Sequence, residues 1–217
     1  ATSGTRPVVR FFGGTGLEEG LCEAPDMIEQ AYAGGVPMGG EIAGADPGTS
    51  LRFLVSVQKD PGVAGRPGTD IQRVQVIKGW VDAAGDTHER VYEVAGDKDN
   101  GAGVDPGTCA PVGQGAQQLC TVWQDPDFDA TRSAFYYARV IENPTCRWST
   151  LQCQAAGVNP FATACAAQAE AATFRAQGEL GAQGDVYGKC CIDPATRPFY
   201  SPIIQERAWT SPVWYRP

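Results

Sequence analysis

The chain of 217 residues has the length of one to one and a half ordinary domains, and its hydrophobic content of 42% is that of a globular protein. A formal net charge of −8 with scattered basic residues argues against nucleic-acid binding, and no apolar run reaches the roughly 18 residues of a membrane span. Glycine and proline are in excess, at 27 and 16 residues, but they follow no period and they separate apolar segments. Composition therefore excludes collagen and a wholly disordered chain, and it predicts a loop-rich, β-rich domain.

The first half of the chain contains a short strand, a long loop and three further strands. Val8–Phe12 predicts a strand that ends at paired glycines, and residues 13–50 are predicted as loop. Leu51–Val57 alternates apolar and polar residues, which is typical of a half-buried strand. Ile71–Val81 and Thr87–Val94 flank a short linker rich in Asp and Gly, so they predict a β-hairpin.

The second half combines strands with a different kind of segment. The aromatic and β-branched run Phe135–Ile141 predicts a strand, and Arg207–Tyr215 predicts a last strand at a sheet edge, interrupted by a proline. Between them, residues 143–200 hold five cysteines and one predicted helix, which begins at Asn159 and covers Phe161–Gln177.

These elements predict a mainly β fold, an immunoglobulin- or fibronectin-like β-sandwich with long loops. The sandwich is assigned to residues 8–142 and 201–217. Residues 143–200 form a disulfide-rich, partly helical insertion before the last strand.

Eight cysteines without a CxxC motif, beside a single histidine, predict disulfides rather than a zinc site. They are Cys22, Cys109, Cys120, Cys146, Cys153, Cys165, Cys190 and Cys191. Disulfides imply a periplasmic or extracellular protein. The pairs we expect are Cys109–Cys120, Cys146–Cys153, Cys165 with Cys190 or Cys191, and Cys22 with the remaining cysteine of that adjacent pair.

One acidic loop is a candidate cation site. Asp97, Asp99 and Asp105 place carboxylates in a glycine-rich segment, and calcium prefers oxygen ligands. The spacing resembles a calcium loop only in part, because Gly101 takes the third ligand position and no closing Glu follows. The alternative is a solvated acidic turn.

Other residue patterns favour structural roles over chemistry. A nucleophilic site would have to use His88, which the sequence places at the start of a hairpin strand. The run Asp125–Asp129 alternates carboxylates, as a glycosidase pair could, but it is also ordinary turn chemistry. Five tryptophans are either core and rim residues or a surface on which sugars stack.

Long stretches of the chain resemble one known family. The strings ATSGTRPVVRFFGG, VPMGG, IQRVQVIKGWVDAAGDTHERVYEVAGD, FYYARVIENPTCRWST and IQERAWTSPVWYRP are similar to the C-terminal region of the bacterial family called domain of unknown function 3604. The resemblance implies a longer secreted or periplasmic protein, whose N-terminal part is similar to a metal-dependent hydrolase barrel. A chain with one histidine lacks the ligands of that metal centre.

Our first hypothesis is therefore a non-catalytic accessory domain that packs on such a barrel, and we do not expect it to turn over substrate by itself. Residues 1–7 would be the tail of the barrel, and Arg6 would face the neighbouring domain or its active site. An apolar docking patch is expected near Val8, Phe11 and Phe12.

The alternative hypothesis is an extracellular binding or self-assembly module for sugars, calcium or copies of the chain in a filament or envelope. An unpaired first or last strand would accept a neighbour's strand in such an assembly. A chain that begins at Ala1 without an initiator methionine is expected to be either a processed protein or part of a longer one.

Overall fold

The computed structural model describes residues 1–46, 48–193 and 195–217. The strands are β1 (Val8–Gly14), β2 (Val36–Pro37), β3 (Glu41–Ala43), β4 (Arg52–Gln58), β5 (Ile71–Val81), β6 (Thr87–Gly96), β7 (Gly103–Val104), β8 (Pro111–Val112), β9 (Gln118–Gln124), β10 (Ala134–Glu142), β11 (Thr145–Cys146), β12 (Ile203–Ile204), β13 (Arg207–Trp209) and β14 (Val213–Arg216). The helices are α1 (Met27–Gly34), α2 (Trp148–Ala155) and α3 (Cys165–Leu180), with 3-10 turns at Glu19–Glu23 and Gly188–Cys190. The protein is mainly β, as the composition predicts.

The chain divides into two compact units. The first unit contains residues 1–100, 114–143 and 206–217, and the second contains residues 101–113 and 144–205. The segments assigned by sequence to the sandwich lie largely in the first unit. The second unit holds most of the predicted cysteine-rich insertion, together with the loop at 101–113.

The first unit is built on two β-sheets. One has the strand order β2-β1-β4-β9, and the other has the order β3-β14-β10-β5-β6, with β13 also paired to β10. Strands β5 and β6 form the predicted hairpin, and Asp82 closes its turn by accepting the backbone N–H groups of Ala84 and Asp86, both at 2.9 Å. We call these the smaller and the larger sheet.

Both sheets contribute side chains to one hydrophobic core. Phe53 on β4 lies against Tyr136 on β10, with ring centroids 4.3 Å apart. The alternation predicted for Leu51–Val57 is observed, because Phe53, Val55 and Val57 all lie in this core. On β10 every second residue is buried in the same way, which leaves the intervening side chains on the outer face of the larger sheet.

The outer face of the smaller sheet is covered by residues that the sequence predicted as loop. Phe12 and Leu54 pack against Leu21 and Ala31, which lie on the 3-10 turn and on α1. The helix reaches the sheet closely only because glycines meet there: a Cβ atom on Gly14 would lie 2.4 Å from a backbone oxygen of the helix end.

Four disulfides join the eight cysteines, and most of the pairing differs from our expectation. The bonds are Cys22–Cys120, Cys109–Cys146, Cys153–Cys190 and Cys165–Cys191. The predicted Cys109–Cys120 and Cys146–Cys153 pairs are wrong, and so is a pair between Cys22 and the adjacent cysteines. Cys165–Cys191 is one of the two alternatives expected. Short sequence separation favoured the wrong Cys109–Cys120 and Cys146–Cys153 pairs, whereas Cys22–Cys120 spans 98 residues.

The second unit is held together largely by its disulfides. Its buried cluster contains Cys153, Cys165 and Cys190 beside small alanines and Val158. Two helices are present where the sequence predicted one, and the longer begins at Cys165 rather than near Asn159. With little large apolar surface to bury, these helices depend on covalent links for stability.

The end of the chain also departs from its prediction. The proline-interrupted segment forms two strands, β13 and β14, and both pair with β10. Strand β14 also pairs with β3, and β1 lies between β2 and β4. The last strand is therefore not an edge strand, whereas β1 pairs with β2 only at Phe12 and Gly13, so that among the described strands Val8–Arg10 pair with β4 alone. No helix among the described residues has the length and apolarity to cross a bilayer.

Candidate functional site

The outer face of the larger sheet carries four aromatic side chains, of which Trp214 is exposed and the other three are partly buried. We call this the aromatic face, and it consists of Phe135, Tyr137, Trp209 and Trp214. Each alternates with a buried core residue along its strand, so its own side chain points away from the core. The five tryptophans thus divide between environments: Trp80 and Trp123 pack against the core, Trp209 and Trp214 lie outside it, and Trp148 is exposed on the second unit.

The rings of this face lie in a row along β10 and onto β14. Phe135 and Tyr137 are nearly parallel, with centroids 6.4 Å apart, and Trp214 is tilted by 51° from Phe135 at 5.5 Å. Trp214 is 46% exposed. An aromatic row of this kind is an apolar surface suited to a ligand or a second domain.

One end of the aromatic face opens into a groove of about 640 Å³. Its lining includes Gly79, Glu89, Ser133, Phe135 and Trp214. The volume falls in the range of about 300–1,000 Å³ that is usual for small-ligand sites.

The other end of the aromatic face is bordered by a polar network. Arg139 donates to Gln75 at 2.7 Å, and Gln75 donates to Glu93 at 2.5 Å. Trp209 pairs with Arg139 across the strands. The backbone of Trp209 also exchanges two 2.8 Å hydrogen bonds with Ala1, so any residues that precede Ala1 enter the fold at this end.

The docking patch predicted near Val8, Phe11 and Phe12 is wrong. Phe11 lies in the core between the sheets, and Phe12 lies under α1, so both are buried. Val8 alone of the three is exposed. The burial of Phe12 was not predictable from the sequence, because the helix that covers Phe12 lies in a segment predicted as loop.

The first carboxylate of the acidic run after β9, Asp125, belongs to a buried hydrogen-bond network. Asp125 accepts hydrogen bonds from Lys78 at 2.6 Å and from Tyr136 at 2.7 Å. Its side chain is 0% exposed, and that of Lys78 is 6% exposed. Burial, followed by the charge of Asp125, raises the pKa of Tyr136 well above its ordinary value. The phenol is therefore a permanent donor to the carboxylate.

The other two carboxylates of the run are also engaged. Asp127 accepts from Arg90 at 2.6 Å and from Tyr92 at 2.7 Å. Asp129 accepts from the hydroxyl and the backbone of Thr131, and these bonds hold its pKa below the ordinary value. Neither carboxylate is placed as a free acid or base.

His88 is held at the hairpin turn. Its Nε2 lies 2.8 Å from Asp82, and its ring stacks on Trp80 with centroids 5.2 Å apart. Within the described residues no serine, threonine or cysteine is hydrogen-bonded to His88, so the structure assembles no nucleophile–base pair there.

The proposed calcium ligands are occupied by local contacts. Asp97 accepts the backbone N–H of Asp99 at 2.8 Å, and Asp105 caps its turn by accepting from Gly107 and Thr108. Of the residues that the structure describes, no three His, Cys, Asp or Glu side chains form a group that could hold a metal. The calcium site stays a prediction, and a calcium titration of the melting temperature tests it.

Arg6 contacts the first unit itself. Its backbone and guanidinium donate to Asp60, at 2.9 Å and at 3.2–3.3 Å, while the Arg6 side chain remains 68% exposed. A backbone hydrogen bond from Gly62 and then the bond from Arg6 lower the pKa of Asp60. The role of Arg6 toward a neighbouring domain stays a prediction.

One pattern in the sequence indicates the aromatic face. Alternation along Phe135–Ile141 already divides Phe135 and Tyr137 from the core residues between them. It could not tell which sheet face would remain uncovered, because that depends on where residues 15–35 fold.

Comparison with known proteins identifies the family of the chain, but it identifies no activity, ligand or partner. The model of the family described as protein of unknown function (DUF3604) matches residues 1–174, most of the chain. Neither the curated proteins nor the solved structures provide a match. The chain belongs to the DUF3604 family.

Proposed function

Because the chain is a DUF3604 member, we propose that it is a non-catalytic accessory domain that packs on a metal-dependent hydrolase-like barrel of the same protein. One observation supports the proposal: the aromatic face is partly exposed to solvent, and the backbone of Ala1 pairs with Trp209 at its edge. A domain attached before Ala1 is thereby brought next to an apolar surface. Burial of that surface would stabilise the contact by about 25 cal/mol for each Å² of apolar area.

The contact is assigned to one end of the aromatic face, formed by Tyr137 and Trp209 beside Arg139. We call this the Trp209 end. Aromatic and arginine side chains are the groups that most often dominate the energy of protein interfaces. The Arg139–Gln75–Glu93 network supplies polar groups around the rings, as the rim of an interface requires.

We further propose that the first unit is a sandwich of the immunoglobulin or fibronectin type. Strands β1, β4 and β9 correspond to strands A, B and E of that fold, and β14, β10, β5 and β6 to G, F, C and C′. Tyr136, near the start of the F strand, bonds back to Asp125 upstream, in the manner of a tyrosine corner.

A secreted or periplasmic location is part of the proposal. Four disulfides among eight cysteines, with none left free, fit an oxidising compartment. The family resemblance noted above supports the same location.

Calorimetry of the natural full-length protein tests the docking. We expect the accessory unit and the barrel to unfold in one coupled transition in the wild type. Trp209→Ala should separate or lower this transition, whereas Trp148→Ala, which removes a tryptophan of the second unit that is 66% exposed, should not. Independent unfolding in the wild type, or a reading frame upstream of Ala1 that encodes no His and Asp/Glu metal ligands, would contradict the proposal.

A second function, an extracellular binding module, is favoured by the groove at the other end of the aromatic face. Its polar rim and ring-lined floor are the reason to consider a small ligand there. Self-assembly by strand exchange gains no support from β14, which pairs on both sides, whereas Val8–Arg10 of β1 pair only with β4.

A further inference from the structure

The groove of the aromatic face is shaped by the absence of a side chain at Gly79. A Cβ atom there would lie 2.2 Å from Cζ and 2.4 Å from Cε1 of Phe135. The Phe135 ring therefore rests directly on the neighbouring strand. In this position it lines the groove beside Trp214.

Trp214 forms the second apolar wall of the groove. Its ring is inclined by 51° to that of Phe135, with centroids 5.5 Å apart, and nearly half of the residue is exposed. The two rings make a trough, and both belong to strands of a hydrogen-bonded sheet. A ligand would thus meet rings that are already in place, which reduces the ordering cost of binding.

Polar side chains that can bind a ligand line the edge of this trough. Thr87, Glu89 and Ser133 line the groove, and across the described part of the chain their side chains make no hydrogen bond or ion pair. Arg216 also lines it and pairs with Glu41 at 3.1 Å, leaving further N–H groups for a ligand. The rim therefore offers hydroxyl, carboxylate and guanidinium groups.

This combination matches the chemistry of a sugar ring. A pyranose has a face of C–H bonds, which are weakly positive and stack on the negative face of an aromatic ring, and an edge of hydroxyl groups that both donate and accept. Glu89 disfavours an anionic ligand, and the net charge of −8 disfavours nucleic acid. A purely apolar ligand would leave the rim groups buried without partners.

We propose that the groove between Phe135 and Trp214 binds a neutral oligosaccharide or polysaccharide chain. The rings stack on one pyranose, and Glu89, Ser133 and Arg216 bond its hydroxyl groups. This site is separate from the Trp209 end and does not depend on docking to a barrel. The accessory domain would then bind a glycan through this groove.

The test measures binding by the 217-residue chain alone. Affinity electrophoresis in gels containing hydroxyethyl cellulose, xylan, mannan or a soluble β-1,3-glucan, followed by calorimetric titration with oligosaccharides of any polymer that retards the chain, identifies the ligand. Trp214→Ala is expected to weaken the affinity by about tenfold or more. Gly79→Ala should have a similar effect, because the new methyl group displaces the Phe135 ring.

Trp148→Ala is the matched control, since it removes an exposed tryptophan outside the groove and should leave affinity unchanged. Melting temperatures of all variants show whether each is folded, and Trp214→Ala alone decides the case if Gly79→Ala does not fold. No retardation of the wild type by any of the four polymers would overturn the proposal. Equal affinity of the wild type and Trp214→Ala for the glycan would also overturn the proposal. The same holds if Trp214→Ala abolishes binding of a protein that carries no glycan but leaves glycan binding unchanged. None of these results bears on docking at the Trp209 end.

Discussion

The buried pair of Lys78 and Asp125 offers the sharpest test of how the first unit is stabilised. Lys78 donates to Asp125 at 2.6 Å and to the backbone oxygen of Asp127 at 2.7 Å. Asp125 receives a further bond from Tyr136, and a 2.9 Å bond from the backbone of Asp127. Both charges are almost wholly removed from water, so each depends on the other and on these neighbours.

Asp125→Ala leaves the Lys78 ammonium buried without its counter-charge. We expect a loss of about 3–5 kcal/mol in the free energy of unfolding. For a chain of this size, such a loss lowers the melting temperature by about 6–20 °C. Asp99→Ala, at a side chain that is 77% exposed, is the control and should cost less than about 1 kcal/mol.

Thermal and urea unfolding, followed by tryptophan fluorescence and circular dichroism, measure these differences. The double variant Lys78→Met with Asp125→Leu removes both charges, so it should be more stable than Asp125→Ala alone. A cost below about 1 kcal/mol for Asp125→Ala would refute the reasoning. A double variant no more stable than the single one would also refute it.

Two further predictions concern pH and the disulfides. Burial raises the pKa of Glu142, against the opposing hydrogen bond from Thr5, so its stabilising effect is present below its ordinary pKa and is lost as pH rises through the folded-state value. Glu142→Gln should therefore melt higher than the wild type at neutral pH and show a flatter stability profile above pH 4.5, and parallel profiles would contradict this. Replacing Cys22 and Cys120 by alanine opens a loop of 98 residues and should destabilise the first unit by up to about 4.7 kcal/mol, against about 3 kcal/mol for a short loop. Differential calorimetry of the variant checks this, and an unchanged melting temperature would show that the 3-10 turn at Glu19–Glu23 needs no covalent link to the sheet.

Strands with a strong local pattern were predictable from the sequence. The hairpin of β5 and β6 and the strand β10 appear where alternation and turn residues place them, within one or two residues. In β5 and β10 the residues that set the pattern also pack in the core, so local and tertiary preferences agree, whereas β6 is mostly exposed and follows from the turn and the pairing with β5.

Residues 15–35 were not predictable in the same way. Met27, Ile28 and Ala31 make a short and weak apolar stripe, which only the sheet beneath them stabilises as a helix. Cys22 could not be paired for the same reason, since its partner Cys120 becomes a neighbour only after β9 joins β4. Wherever a contact depends on two elements that are distant in sequence, local pattern carries no information about it.

The candidate site was predictable only in its residue types. Five tryptophans indicated either a core or a surface for stacking, and the structure contains both environments. The division between them follows from sheet topology. Trp214 faces outward because Val213 and Tyr215 on either side of it fill the core.

The central claim is that the Trp209 end of the aromatic face is an interface in the natural protein. Hydroxyl-radical footprinting, read by mass spectrometry on the 217-residue chain and on the natural full-length protein, measures the exposure of individual side chains. We predict that Trp209 and Tyr137 are protected in the full-length protein relative to the 217-residue chain, while Trp148 is modified equally in both. Equal modification of Trp209 and Tyr137 in the two proteins, or a natural protein that begins at Ala1, would contradict the account.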